Sequence, residues 1–351
     1  MLLKDIFEYE DLSQEKQNII TAIAGLDVND PKQATLLDRV YQLLNTETID
    51  TKISSAFTTT MQDEVLSDKV KEQHKIQLAK IILHLDSDYS AMNTFLGKME
   101  KGGVIDITAL GQRTNSFNKI LGGDPVAISA FHALSTYGVG QKQKGPGEFA
   151  LAMLSNRISL AETQGDIMVA GKKVEVKVEK SSGGGRLGYG GSQNSHQMGI
   201  LNQFAEAIPN LIANMKKSIG LSVFIQGLNV DLPVNVAENK ETRVAIASAL
   251  FEPTFGNYGT AMAQAFKQED ATTIINEYVK QNFDWYKAQD PFEAILMVNF
   301  PRQKTAWVNS ANDIINLRQT GQLTGFAISV VPSKARPSEQ FAQLSMSAAV
   351  I

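Results

Sequence analysis

An acid, then an acid and a lysine two residues apart, lie within Gly165-Asp-Ile-Met-Val-Ala-Gly-Lys-Lys-Val-Glu-Val-Lys-Val-Glu179. The stretch reads as two short strands joined at Ala170-Gly171. In the second strand Val174, Val176 and Val178 point one way and Glu175, Lys177 and Glu179 the other, because side chains alternate faces along a strand. Alternation of this kind normally puts charge in water, and Glu179 is expected to be solvated. The types and spacing of Asp166, Glu175 and Lys177 also suit a second chemistry. Carboxylate oxygens are natural ligands of a hard cation such as Mg²⁺, and a lysine beside them suits an anionic reacting group.

Several elements must position these residues. Gly138-Val-Gly-Gln-Lys-Gln-Lys-Gly-Pro146 is a Gly/Pro-punctuated basic link and the candidate domain boundary. A helix is expected just after it, with Pro146 at its entrance, Glu148 in its first turn, and Phe149, Ala152 and Met153 facing a core. After the hairpin, Ser181 to Gly191 reads as a Gly-rich loop carrying Arg186, mobile when empty. A helix is expected from Asn194 or Ser195 to about Ile208, interrupted by Pro209 and resuming to Ile219. Residues 221–235 read as extended or irregular, and Lys240 to Ala288 as helical with a break at Gly256-Asn-Tyr-Gly259. Phe292 to Phe300 is a strongly apolar strand, followed by strands at Thr305–Asn309, Phe326–Val331 and Phe341–Ser345. Residues 1 to about 140 read as helical. Ser13 is an N-cap candidate, Asn29-Asp30-Pro31 a second helix start, and Gly102-Gly103 and Gly122-Gly123 are breaks. His74 and His84 fall on different parts of that helical surface in structural roles.

The run Asp166…Glu175-Val176-Lys177 resembles the signature of the PD-(D/E)XK nuclease superfamily. The order of elements is similar too: helix from Glu148, hairpin 166–179, helix near 195 and apolar strand at 292–300. The resemblance covers residues 146–208 and the strand near 295. It implies an α+β or α/β fold, with a helical domain at 1–140. The nuclease-like domain spans 141–351, with a mixed sheet flanked by helices and a helical insertion at about 220–290. It also implies a Mg²⁺- or Mn²⁺-dependent nuclease cutting DNA. Asp166, Glu175 and the Val176 carbonyl are then metal ligands, Glu148 an accessory acid ligand, and Lys177 the catalytic lysine that orients water and offsets transition-state charge. Arg186, Lys172, Lys173, Gln193 and His196 are the candidate contacts to the DNA phosphate backbone. Many such enzymes act as homodimers. Gly165 stands where the signature has proline, a residue often absent in the superfamily.

The whole chain sets bounds on these readings. Its 351 residues are 43% hydrophobic and 20% charged, enough apolar material for a core. Net charge is -4, yet from Lys142 to Arg186 eight basic residues face five acids, which suits a polyanion partner. The absence of cysteine excludes disulfides and thiolate sites, and four scattered histidines do not make a His-rich zinc site. No run approaches the roughly 18 apolar residues of a membrane span. With acids in the first ten residues and no secretory pattern, a cytoplasmic protein is expected, or a virion-associated one if viral. Two further readings stay open. One is a structural or assembly protein, possibly viral, that keeps the fold for binding. The other is a nucleotide site at Gly183-Gly-Gly185-Arg-Leu-Gly188, a G-x-G-x-x-G match that lacks the apolar first strand such folds need.

Overall fold

A computed structural model describes residues 51–61, 66–85, 89–137, 144–162, 165–179, 185–186, 195–197, 201, 203–214, 219–325, 327–332, 340–345 and 347–351. The expected helices at Ser13 and Pro31, and Gln193, lie outside these. The N-terminal part is helical: α1 (51–60), α2 (Asp68–His84), α3 (Tyr89–Glu100), α4 (Ile107–Leu110), then a short strand β1 (Thr114–Ser116), α5 (Phe117–Ile120) and α6 (Pro125–Tyr137). Asp106 caps α4 by accepting from the Thr108 and Ala109 amides. The glycine pairs 102–103 and 122–123 take positive φ after α3 and α5, the breaks the sequence suggests.

Helix α7 (Pro146–Met153) leads into three strands, β2 (Ile158–Leu160), β3 (Ile167–Val169) and β4 (Lys172–Glu179), each antiparallel to the next. The β3–β4 connection is two residues, Ala170 and Gly171, both at positive φ, as a type I′ hairpin requires. Short strands β5 (Gly185–Arg186) and β6 (Ser195–Gln197) follow, then α8 (Pro209–Asn214), β7 (Ile219–Gly220), α9 (Leu221–Asp231), α10 (Ala237–Phe255), α11 (Asn257–Gln264) and α12 (Ala271–Gln289). The chain closes through β8 (Ala294–Asn299), β9 (Lys304–Val308), α13 (Ala311–Gln319), β10 (Ala327–Pro332), β11 (Gln340–Ser345) and β12 (Ser347–Ala348).

The main sheet has six strands in the order β1-β9-β8-β4-β3-β2, mixed because β4 and β8 run parallel. A parallel pair needs a long crossover, and the helices α8 to α12 lie within it. Two buried clusters cover the two faces. Val174, Val176, Leu296 and Trp307 pack with α2, α3, α6 and α7. Ile295, Met297, Ala306 and Val308, one residue out of phase, pack with α9 to α13. The first cluster runs from Ile53 to Trp307 and so crosses residue 140. The protein is thus mixed α and β, with a six-stranded mixed sheet between helical layers.

Three expectations about elements fail. Ser195–Gln197 is not a helix start but strand β6, paired with β11 through His196↔Ala342. Pro209 does not interrupt a helix; it opens α8, where its missing N–H costs nothing. Residues 221–231 are not irregular but helix α9, with Leu221, Phe224, Ile225 and Leu228 buried. Its Gly227 allows close approach: a Cβ there would stand 2.8 Å from Leu211 Cδ1. Among the described residues no helix is long and apolar enough to cross a membrane.

Candidate active site

Strand β4 carries the site, and the strand pairing decides which face each side chain meets. Glu175 pairs with Ile295, Lys177 with Met297 and Glu179 with Asn299. Ile295 and Met297 belong to the cluster packed against α9 to α13, so the charged face of β4 looks into a helical layer rather than water. The expectation that Glu179 is solvated is overturned. It is 3% exposed, and its Oε2 accepts from Asn299 Nδ2 at 2.8 Å.

Asp166 reaches β4 where β3 ends. Ile167 pairs with Val174, and the Asp166 amide donates to the Val174 carbonyl at 3.0 Å. Beyond that point the side chain takes over from the strand: Asp166 Oδ2 accepts from the Val176 amide at 2.8 Å. This is the residue between Glu175 and Lys177. A residue's N–H and C=O leave a strand on the same side, so the Val176 carbonyl also points toward Asp166. The turn before Asp166 is held from two directions. Gly165 donates its amide to Asp290 Oδ1 at 3.2 Å, and its carbonyl accepts from Lys144 Nζ at 2.5 Å. Gly165 has φ +69. Proline, locked near −65°, cannot adopt this and has no amide to give. Glycine at position 165 therefore has a local backbone cause.

Glu175 and Lys177 form a closed group with Tyr286, near the end of α12. Lys177 Nζ donates to Glu175 Oε1 at 2.5 Å and to the Tyr286 hydroxyl at 2.8 Å. The Tyr286 hydroxyl donates to the same Glu175 Oε1 at 2.5 Å. The ammonium also lies 5.1 Å from the centre of the Tyr286 ring, within cation–π range. Burial and the adjacent Glu175 charge push the tyrosine hydroxyl's pKa upward, so it stays a donor. Sequence reading missed Tyr286. Its one signal is position: it ends the buried face Ile274, Ile275, Tyr278, Val279, Asn282, Phe283 of α12, and a buried tyrosine hydroxyl wants a partner.

Glu148 comes from the first turn of α7 and is 9% exposed. Two glycines set it there. A Cβ on Gly147 would meet Val178 Cγ2 at 2.5 Å, so only glycine lets α7 lie this close to β4. A Cβ on Gly145 would meet Glu148 Oε2 at 2.7 Å, so the carboxylate folds back over the helix entrance. That Oε2 is buried and has no hydrogen-bond partner among the described residues. Burial, and then the charge of Glu175, raise the Glu148 pKa; its own amide, Lys177 and Lys144 oppose the rise. Burial together with Glu175 and Glu148 pushes Asp166 up to about 7, against the Val176 hydrogen bond and Lys177. Lys144 stands 3.9 Å from Asp166 Oδ1, too far for a hydrogen bond, and offsets little of this.

Hard oxygen donors, a buried carboxylate oxygen with no partner among the described residues, and two carboxyls whose pKa burial and then neighbouring charge push upward fit a divalent cation in kind. The number of donors decides which cation. Among the described residues no group of three or more His, Asp or Glu side chains could hold a metal. Mg²⁺ needs no such cage; it commonly takes one or two carboxylates and keeps several waters. Asp166, Glu175 and the Val176 carbonyl are donors of that kind, with Glu148 a neighbour by charge and Glu175 Oε1 held by Lys177 and Tyr286.

The remaining described sequence candidates are spread over β4, β5 and β6. Lys172 is exposed at the hairpin turn, and the Lys173 amide donates to Glu293 Oε2 at 3.0 Å. Arg186 sits in β5, paired with Ser347, so this part of the Gly-rich stretch is strand and not open loop. His196 sits in β6. The strand at 195–197 also stands where a dinucleotide-binding turn would need its helix. His74 is not on the helical surface: it is fully buried and stacked on Phe149 at 4.1 Å, while His84 is exposed. Comparison with family models, with curated proteins and with solved structures gives no match for this chain.

Proposed function

We propose that the chain is a metal-dependent nuclease of the PD-(D/E)XK kind, hydrolysing phosphodiester bonds of DNA. The observation that carries the reading is the Asp166 carboxylate on the amide of Val176, which joins the first acid to the Glu175-Val176-Lys177 strand. The order of elements supports it. A helix bearing Glu148 precedes a three-stranded antiparallel meander, and α12 precedes a strand parallel to β4. The helix that completes this order is α12 rather than one beginning at residue 195.

Asp166 and Glu175, with the Val176 carbonyl, are the groups that hold the cation. Bound Mg²⁺ or Mn²⁺ supplies phosphate polarisation and an acidified water. The Val176 amide fixes the orientation of the Asp166 carboxylate. Lys177, steadied by Tyr286, exchanges Glu175 for the phosphate as the partner of its ammonium and offsets negative charge as it builds. The surrounding helices exclude water and strengthen each of these interactions. Asp166→Ala and Lys177→Ala each abolish Mg²⁺-dependent cleavage of plasmid or linear DNA while keeping the parent's circular dichroism. If both variants cut as fast as the parent, the reading is wrong.

A second reading has one observation in its favour. Lys177, Glu175 and Tyr286 already satisfy one another, as they would in a structural or assembly protein that keeps the fold for binding. Titration with Mg²⁺ or Mn²⁺ separates the two, because that protein has no metal site lost on substituting Asp166.

A further inference from the structure

We propose that Lys144 is a phosphate-contacting lysine, holding a backbone phosphodiester of the nucleic acid at the mouth of the site. The inference rests on the nuclease reading and adds a residue that its sequence signature does not contain.

The two lysines beside the acids are engaged differently. Lys177 is committed: its ammonium meets a carboxylate oxygen, a hydroxyl and an aromatic ring. Lys144 is not. Its Nζ donates to a neutral acceptor, the Gly165 carbonyl, and stops 3.9 Å short of Asp166 Oδ1. An ammonium carries three donors. With one on a peptide carbonyl and only a loose 3.9 Å ion pair to Asp166 Oδ1, its other donors are open to an anion.

Position and local charge point the same way. Lys144 lies one residue before Gly145, the N-cap of α7, and its side chain is 17% exposed. Asp166 is exposed to the same extent, so the ammonium lies beside it at the edge of the acid cluster, partly open to solvent. Inside, the partnerless Glu148 Oε2 marks an unmet demand for positive charge. A divalent cation on Asp166 and Glu175 meets that demand, and Lys144 is then surplus to the carboxylates. A phosphate drawn to the same cation arrives beside a lysine on a flexible four-carbon stem. That is how lysine binds phosphate, as a movable point charge.

The test uses the full-length chain, Ca²⁺ in place of Mg²⁺ so that binding is read without turnover, and a short fluorescein-labelled DNA duplex followed by anisotropy. Lys144→Gln keeps a donor for the Gly165 carbonyl and deletes the charge. It weakens duplex binding roughly tenfold and lowers the salt dependence by about one phosphate contact. Lys144→Arg binds the duplex like the parent. Calorimetric titration of the DNA-free Gln variant with Mg²⁺ shows no loss of metal affinity. If Lys144→Gln binds the duplex like the parent with the same salt slope, Lys144 makes no phosphate contact. The nuclease reading then survives, provided the parent takes up Mg²⁺ and Asp166→Ala does not. If Lys144→Gln loses Mg²⁺ and duplex binding together, Lys144 shapes the Gly165–Asp166 turn and the proposal is overturned. If the parent binds neither Mg²⁺ nor the duplex, both readings fall.

Discussion

Tyr286 presents one hydroxyl to two charged groups, donating to Glu175 and accepting from Lys177. Tyr286→Phe keeps the ring, its packing on Phe292 and its face toward the ammonium, and removes only the hydroxyl. A buried carboxylate then loses a charge-assisted hydrogen bond, a change of about 1.5–3 kcal/mol. Urea unfolding of the metal-free variant is expected to show a loss of that order. Cleavage slows through kcat, since Lys177 loses its fixed position; an unchanged kcat would mean that Tyr286 serves stability alone. At this scale the sequence was legible where chemistry is local. Asp166, Glu175 and Lys177 fall within one hairpin, and period-two alternation plus a two-residue turn were enough to associate them. Glu179 was misread because alternation says which side chains share a face, not whether that face is wet. Tyr286 was out of reach because its partner lies 111 residues away and no local pattern encodes that contact.

The helical layer over the charged face of β4 has its own internal fastening. Arg243 on α10 is fully buried. Its guanidinium donates to the carbonyls of Leu232, Phe266 and Gln268 and to Asn229 Oδ1, at 2.7–3.1 Å. It thus ties the end of α9 to the turn after α11. Four acceptors on one planar fork are a geometry that lysine cannot reproduce. Arg243→Met leaves those acceptors dry and unpaired, and a stability loss of about 3 kcal/mol or more is expected in urea. Arg243→Lys recovers little of it. The elements themselves were unevenly legible. Helices α10 and α12 and strands β8 to β11 announce themselves by period and length. Helix α9 did not, because Gly227 and the Asp231-Leu-Pro233 ending mimic loop punctuation, whereas Gly227 serves close packing on Leu211. Asn194-Ser195 carries a helix-start signature, yet β11 supplies strand pairing that overrides it.

For the molecule as a whole, the acid cluster makes stability depend on pH in a direction opposite to most surface carboxylates. Asp166 has an ordinary pKa of 3.8 and about 7 in the folded chain. The folded state therefore holds its proton more tightly than the unfolded one. That contribution is complete below about pH 4 and is lost as pH rises through about 7. Asp166→Asn mimics the protonated form and removes Asp166's share of the dependence. Without metal, the parent should lose up to about 4 kcal/mol relative to this variant between pH 4 and 8, read as the difference in urea midpoints. Saturating Mg²⁺ should restore the parent and leave the variant unmoved.

The parallel pairing of β4 with β8 has a consequence in time. Asp166 and the Val176 amide are ten residues apart, and a loop of that size closes in well under a microsecond. Tyr286 and Glu175 are 111 residues apart. During synthesis at about 5–20 residues per second, the acid pair leaves the ribosome on the order of ten seconds before the helix that covers it. For that interval a newborn chain carries the acids of its site without their lid of helices, and Lys177 without the tyrosine that steadies it.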